Sequence, residues 1–330
     1  MKKNVTQDAA FMKEKTRIGN LAQDDAFTEI KAQILQSPDE QNEVRYKFTN
    51  DYMFRAVLQT CEEALCGLLS ALLDIPESEI VSCTICNPII LGDAIDEKTC
   101  IMDVRLLLNG NRQINLEMQI GHIQNWTDRS LYYLCRMFTD LRQGDNYTQT
   151  KYSIHIGILS EAPIPEDAAF YNRYALLNLD SHYKFSDKLN ICVLDLSRLD
   201  QVPEEERDTP LYRWARVFQA STWEELLDMA EESDAIKKAV VTLHQLTAEE
   251  KIKLQCEARE RYWMDWQSSM QTSREEGIAQ ERINTERERL RADTEKERAD
   301  TEKERADTEK ERADALEAEL ERYRKLLNIE

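Results

Sequence analysis

Glycine and proline are scarce, eight and seven in 330 residues. Few positions can therefore turn on a left-handed residue or break a helix, and long helices are expected. Long apolar runs are missing as well. Nowhere do about 18 apolar residues stand together, and the opening MKKNVTQDAAFMKEKTRIGN has no apolar centre. No membrane span or secretory signal is expected, which makes the cytoplasm the expected compartment and the eight cysteines reduced thiols. Cys83-Thr-Ile-Cys86 has no second pair and no nearby His, so a tetrahedral zinc site is short of ligands and packed free thiols are the better reading. Net positive charge is also lacking. The chain carries −20 overall; residues 271–330 hold 14 Lys+Arg against 19 Asp+Glu, and the rest 29 against 44. An acidic body opposes tight non-specific binding to nucleic acid, a burden for any DNA-binding hypothesis.

What is present can build a sizeable core: 42% apolar residues, with five Trp, twelve Tyr and eight Phe. Residues 1–44 read as a polar leader in which DDAFTEIKAQIL forms one short helix outside the core. An α/β core is expected over 45–200. Thr49 or Asn50 caps a helix with the stripe Met53, Phe54, Val57 and Leu58, and a second helix from about Cys61 stops before Pro76. EIVSCTICNPIIL, CIMDVRLLL and RQINLEMQI follow as strands, then a helix from Trp126 to Leu141 with Leu131, Leu134, Cys135, Phe138 and Leu141 as its apolar stripe. YSIHIGIL, nearly all apolar, reads as a buried strand, and one more strand is expected near residue 193. Helix, three strands, helix, strand makes a mixed sheet flanked by helices.

Residues 201–270 read as an α-helical region and 271–330 as a charged helix. RADTEKE repeats at 291–297, 298–304 and 305–311, with opposite charges three and four residues apart. In a heptad frame set by Leu316, Leu320, Tyr323 and Leu327, the repeats place Ala at one seam position and Glu at the other, a weak coiled coil whose last turns pair two copies.

The chemistry concentrates around Asn109-Gly110, a hairpin signal between two alternating strands. Asp103 and Arg105 share one face of the first; Asn115, Glu117 and Gln119 share one face of the second. A two-residue loop would set Asp103 opposite Leu116 and mix the faces. A three-residue loop, 109–111, pairs 108 with 112 and sets Asp103 opposite Glu117, keeping both apolar rows together. Two readings fit this face: a solvated hairpin in which Asp103 meets Arg105 and water, or two carboxylates bridged by a hard divalent cation whose water attacks a phosphodiester.

These segments resemble the Rpn-type recombination-promoting nucleases of the PD-(D/E)XK nuclease family transposases. FTNDYMFRAVL and EEALCGLLSALLDI are similar to the family's opening helices, and IMDVRLLLNGNRQINLEMQI to its hairpin with Asp and Glu-x-Gln. RSLYYLCRMFTDLRQGDNY, YSIHIGIL, the segment from Phe170 to Leu199, LYRWARVFQASTWEELLDMA and SREEGIAQERI continue the likeness in order. The resemblance implies a restriction-endonuclease-like core and DNA cleavage dependent on Mg²⁺ or Mn²⁺, linked to recombination or to mobile or foreign DNA. By it, Asp103 and Glu117 hold the metal and Gln119 stands where the wider superfamily places Lys, able to orient water or phosphate without charge. Glu63, or Glu62, is the candidate acidic residue from the early helices, with a solvated helix position as the alternative. Arg129 contacts phosphate or pairs with Glu117, with Tyr133 beside it; His122 reads as a loop histidine rather than a base. The expected partners are DNA and a second copy joined through the C-terminal helix, with no membrane. Against this stand a catalytically weak nuclease-fold module that binds DNA or protein, and a purely structural coiled-coil protein.

Overall fold

The computed structural model describes residues 24–34, 42–86, 103–121, 125–139, 141, 143–161, 163–164, 167 and 169–326. The chain divides into two compact units, residues 1–261 and 262–330.

The first unit is built on a six-stranded mixed sheet in the order β1-β2-β3-β4-β6-β5. Strands β1 (Cys83–Ile85), β2 (Asp103–Leu108) and β3 (Arg112–Gln119) form an antiparallel meander. β4 (Tyr152–Leu159) joins β3 in parallel, and β6 (Lys184–Asp195) joins β4 in parallel. β5 (Tyr171–Leu177) closes the far edge antiparallel to β6. The periodicity of the sequence did not announce β5, because an edge strand is only partly buried on either face and keeps no alternation.

The β2–β3 turn has the expected three-residue loop. Asn109 and Gly110 both adopt positive φ (48° and 69°), a conformation open to Gly and tolerated by Asn. The Asn109 side chain anchors the turn, accepting from Val81 N and Ser82 N and donating to Glu79 O. Leu108 then pairs with Arg112, and Asp103 with Glu117.

Helix α1 spans 24–34; α2 (Asp51–Thr60) and α3 (Glu62–Leu73) follow, then α4 (Trp126–Phe138) after the hairpin. Asn50 caps α2 through its side chain, accepting from Met53 N. After the sheet come α5 (Pro210–Gln219), α6 (Trp223–Glu231), α7 (Asp234–Ala248) and α8 (Glu250–Leu326). The even-numbered side chains of the sheet, among them Val104, Leu116, Met118 and Ile156, share one buried cluster with α2, α3 and α5–α7. Apolar packing therefore runs straight across residue 200.

Two expectations are corrected here. The 24–34 helix belongs to the core after all, because Phe27, Ile30 and Ile34, spaced three and four apart, are buried in that cluster. The buried stripe of α4 is Trp126, Ser130, Leu134 and Met137, while Leu131 and Cys135 are exposed. Apolar periodicity identified the helix and misplaced its inner face, since what it covers is largely polar. The seven described cysteines are free; burial pushes Cys83 up to about 12 and Cys66 up to about 11, so both stay protonated at neutral pH.

The second unit is the continuation of α8; Tyr262, Trp263 and Trp266 are partly buried and the described residues from Gln267 onward are exposed, with Leu316, Leu320 and Tyr323 all more than half exposed. Among the described residues no single helix is long and apolar enough to cross a membrane.

Candidate metal centre

Pleating places Arg105 of β2, Asn115, Glu117 and Gln119 of β3, and Ser153, His155 and Gly157 of β4 on one face, because directly paired residues point the same way, and Asp103 stands in register opposite Glu117. Arg105 is exposed, but the β3 and β4 part of this face is not wet. Asn115 and Gln119 are 2% exposed, and Glu117, Ser153 and His155 are fully buried. The solvated-hairpin reading therefore fails at Glu117. A carboxylate removed from water is costly unless something holds it; here Arg129 is ion-paired to Glu117, while neither carboxylate oxygen has a hydrogen-bond partner among the described residues.

Helix α4 is the cover. Trp126, Arg129, Ser130 and Tyr133 are spaced i, i+3, i+4 and i+7, so they share one face of the helix. The Trp126 ring lies over Gly157, where an added Cβ would come within 2.4 Å of its Cζ2; glycine is required for this close approach. Arg129 reaches down and forms an ion pair with Glu117 Oε1, its guanidinium 5.9 Å from the centre of the Tyr133 ring. On the other oxygen, His155 Nε2 lies 3.4 Å from Glu117 Oε2. His155 Nδ1 in turn is 3.1 Å from the Asn115 carboxamide nitrogen. The imidazole stacks on Tyr133 with centroids 6.4 Å apart and planes at 11°, and lies 5.7 Å from the Trp126 ring.

Gln119 donates from Nε2 to Ile120 O, whereas its Oε1 is buried with no hydrogen-bond partner among the described residues. A carboxamide oxygen without a partner, two residues from a buried carboxylate, is of the oxygen-donor chemistry that a hard divalent cation takes. These residues fit such a metal. The Asp103 side chain lies outside the described part, and among the described residues no three His, Cys, Asp or Glu side chains converge on one point. Beside this group is a cavity of about 150 Å³ whose lining includes Arg105, Gln113, Met137 and Lys151.

The structure thus brings together Glu117, Gln119, Arg129 and Tyr133, with Asp103 in register. Glu63 is elsewhere: it forms an ion pair with Lys238 of α7 at 3.0 Å and accepts from the Cys61 thiol. Partial burial pushes the Glu63 carboxyl upward, but its own backbone N–H and Lys238 outweigh this and hold it below the usual carboxylate range. Glu62 begins the same helix. His122 lies outside the described residues.

His155 and Asn115 are the members that sequence reasoning passed over as site residues. A signal was available. Within YSIHIGIL, Ser153, His155 and Gly157 alternate with isoleucines, so one face of an otherwise apolar strand is polar or bare.

No curated protein and no solved structure gives a match to the chain. The profile of the PD-(D/E)XK nuclease family transposases matches residues 48–273, from the segment before α2 through the hairpin and α4 into α8. Over two thirds of its length, and through every element that builds the polar face, the chain belongs to the PD-(D/E)XK nuclease family transposases.

Proposed function

We propose that this nuclease-family protein is a DNA endonuclease that hydrolyses phosphodiester bonds with Mg²⁺ or Mn²⁺ held by Asp103 and Glu117. One observation carries the reading: Glu117 is a fully buried carboxylate, paired in register with Asp103 and two residues from the orphaned oxygen of Gln119. A bound divalent cation supplies a phosphate-polarising charge and a water of lowered pKa. The chain's own groups do the rest. Gln119 orients the attacking water through an acceptor oxygen without adding charge. Arg129, 22% exposed and able to swing outward, leaves Glu117 Oε1 and meets the substrate phosphate. Arg105 and Lys151, lining the adjoining cavity, give an acidic protein a local cationic path for the DNA backbone. The activity serves recombination, element mobility or action on foreign DNA, in the cytoplasm, and α8 beyond residue 262 joins two copies through its exposed Leu316, Leu320 and Tyr323. Removing residues 285–330 is expected to lower the oligomeric state in solution.

Plasmid cleavage by the full chain tests the reading. Wild type is expected to nick DNA only with Mg²⁺ or Mn²⁺, and Asp103→Ala and Glu117→Ala to lose cleavage while keeping the circular-dichroism spectrum. Equal metal-dependent cleavage by wild type and both variants refutes it. The Arg129–Glu117 ion pair favours a second reading, a nuclease-fold binding module whose site stays closed. A calorimetric Mn²⁺ titration showing no site in wild type would decide for that alternative.

A further inference from the structure

We infer that the tip of the β5–β6 hairpin is a self-association surface, covered by the same tip of a second copy of this chain. The inference is independent of the nuclease reading and of the α8 contact, and it begins from the reach of two strands. β4 pairs with β6 only over Leu189–Asp195, so over Lys184–Lys188 the strand partner of β6 among the described residues is β5 alone. The hairpin therefore runs past the sheet as a two-stranded ribbon, a form that is marginal in water unless its side chains find cover. Its frame is nonetheless well tied. Asn178 Oδ1 accepts from Asp180 N and Ser181 N, Asn178 N donates to Tyr183 O, and His182 N donates to Asn178 O. At the base, Lys188 Nζ donates to the carbonyl oxygens of Thr148 and Thr150.

What this frame holds out to water is apolar. Leu179 is 92% exposed, Phe185 83% and Tyr183 77%, with Leu176 and Leu177 each nearly half exposed. Tyr183, Phe185, Leu176 and Leu177 line one concave patch of about 560 Å³. Apolar patches of more than a few hundred Å² are rare on monomers and mark contact surfaces. Two aromatic side chains at about 150–250 Å² each, with three leucines and the polar rim of the turn, approach the roughly 800 Å² per partner that a stable interface buries. Charge selects the occupant. The chain carries −20, so most contacts between copies bring acidic surfaces together, whereas residues 171–188 hold Arg173, Lys184 and Lys188 against Asp180 and Asp187. Nearly balanced, the tip lacks the cation excess that a phosphate backbone requires. It carries both signs, as a patch facing its own copy across a two-fold axis must if its charges are to pair. Lys184 and Asp180, both exposed, are available for that pairing.

The test uses the full chain. In sedimentation velocity over a range of concentrations, the double variant Tyr183→Ser, Phe185→Ser is expected to self-associate at least about tenfold more weakly than wild type, because aromatic anchors carry most of the energy of such contacts. Equal association of the two proteins, or a wild type that stays monomeric, overturns the proposal. Both positions are exposed, so thermal melts of variant and wild type should nearly coincide. A photo-cross-linker then locates the partner without removing the aromatic surface. With p-benzoylphenylalanine in place of Tyr183, and ¹⁴N and ¹⁵N chains mixed so that links between copies are told from links within one, cross-links should join residue 183 to residues 171–188 of a second copy. Links to another segment of the second copy, links only within one copy, or links to added duplex DNA each overturn the tip-to-tip contact. This readout also separates the tip from α8, since association through the C-terminal helix alone leaves residue 183 unlinked between copies and the double variant unchanged.

Discussion

Along β3, Ile114, Leu116 and Met118 on one face and Asn115, Glu117 and Gln119 on the other are buried to the same depth, none more than 2% exposed. The two faces nevertheless do opposite things to the free energy of the fold. On the even face, Leu116 sits between Val104 and Ile156 and continues into the helices of the main core. Removing such side chains from water contributes roughly 1.5–3 kcal/mol each. On the odd face, burial strips water from a carboxylate and two carboxamides, which costs free energy that the nearby Arg129 and His155 offset only in part. A fold under no other demand would place Leu or Val there. On the proposed reading, the odd face is kept for the site it would form rather than for stability.

Substitutions can break or sharpen this contrast. The largest expected effect is on the even face: Leu116→Ala should cost about 2–5 kcal/mol in urea denaturation, with metal affinity of the folded fraction little changed. Next is the seam between sheet and cover. Gly157→Ala forces a methyl to within 2.4 Å of Trp126 Cζ2, and should cost about 1–3 kcal/mol through displacement of α4, partly recovered by adding Trp126→Leu. Glu117→Gln inverts the pattern. Stability should change by only about 1 kcal/mol, well short of the 3–5 kcal/mol for stranding a fully buried charge, because Arg129 can turn to water; Mn²⁺ titration and plasmid cleavage should vanish. A large loss of stability with metal binding intact would reverse the assignment of the two faces.

Glu63→Ala removes a partly exposed pair with Lys238 and should cost under about 1 kcal/mol, leaving Mn²⁺ binding unaltered. Loss of metal binding in that variant would bring Glu63 into the site. The smallest effect is on pH dependence. Burial holds the half-buried His244, beside Trp223, below its ordinary value of 6.5. The neutral ring's contribution is fully present above that value. As pH falls below it the unfolded chain takes up the proton first, so stability declines until the folded ring also titrates. The urea midpoint of wild type should therefore drop further on acidification than that of His244→Gln.

Much of the hairpin was legible beforehand. Period-two alternation on both sides of Asn109-Gly110 admits only odd loops if the apolar rows are to stay together, and the structure pairs Asp103 with Glu117 as that argument required. The order of helices and strands and the family likeness were legible for the same reason: they rest on local pattern and on motifs contiguous in the chain. β5 was not, because a half-exposed edge strand has no periodic signature.

The sequence by itself determined which residues share a face of β3, since side-chain alternation is a property of the backbone. Tertiary structure alone decided what that face meets. Whether Glu117 is wet or dry depends on α4, and the helix's own apolar stripe pointed to the wrong inner face. Whether Glu117 has a histidine beside it depends on the β3–β4 register, which pairs Asn115 with His155 across 40 residues. A parallel register is set by packing against the rest of the core, not by any turn, and no local pattern contains it.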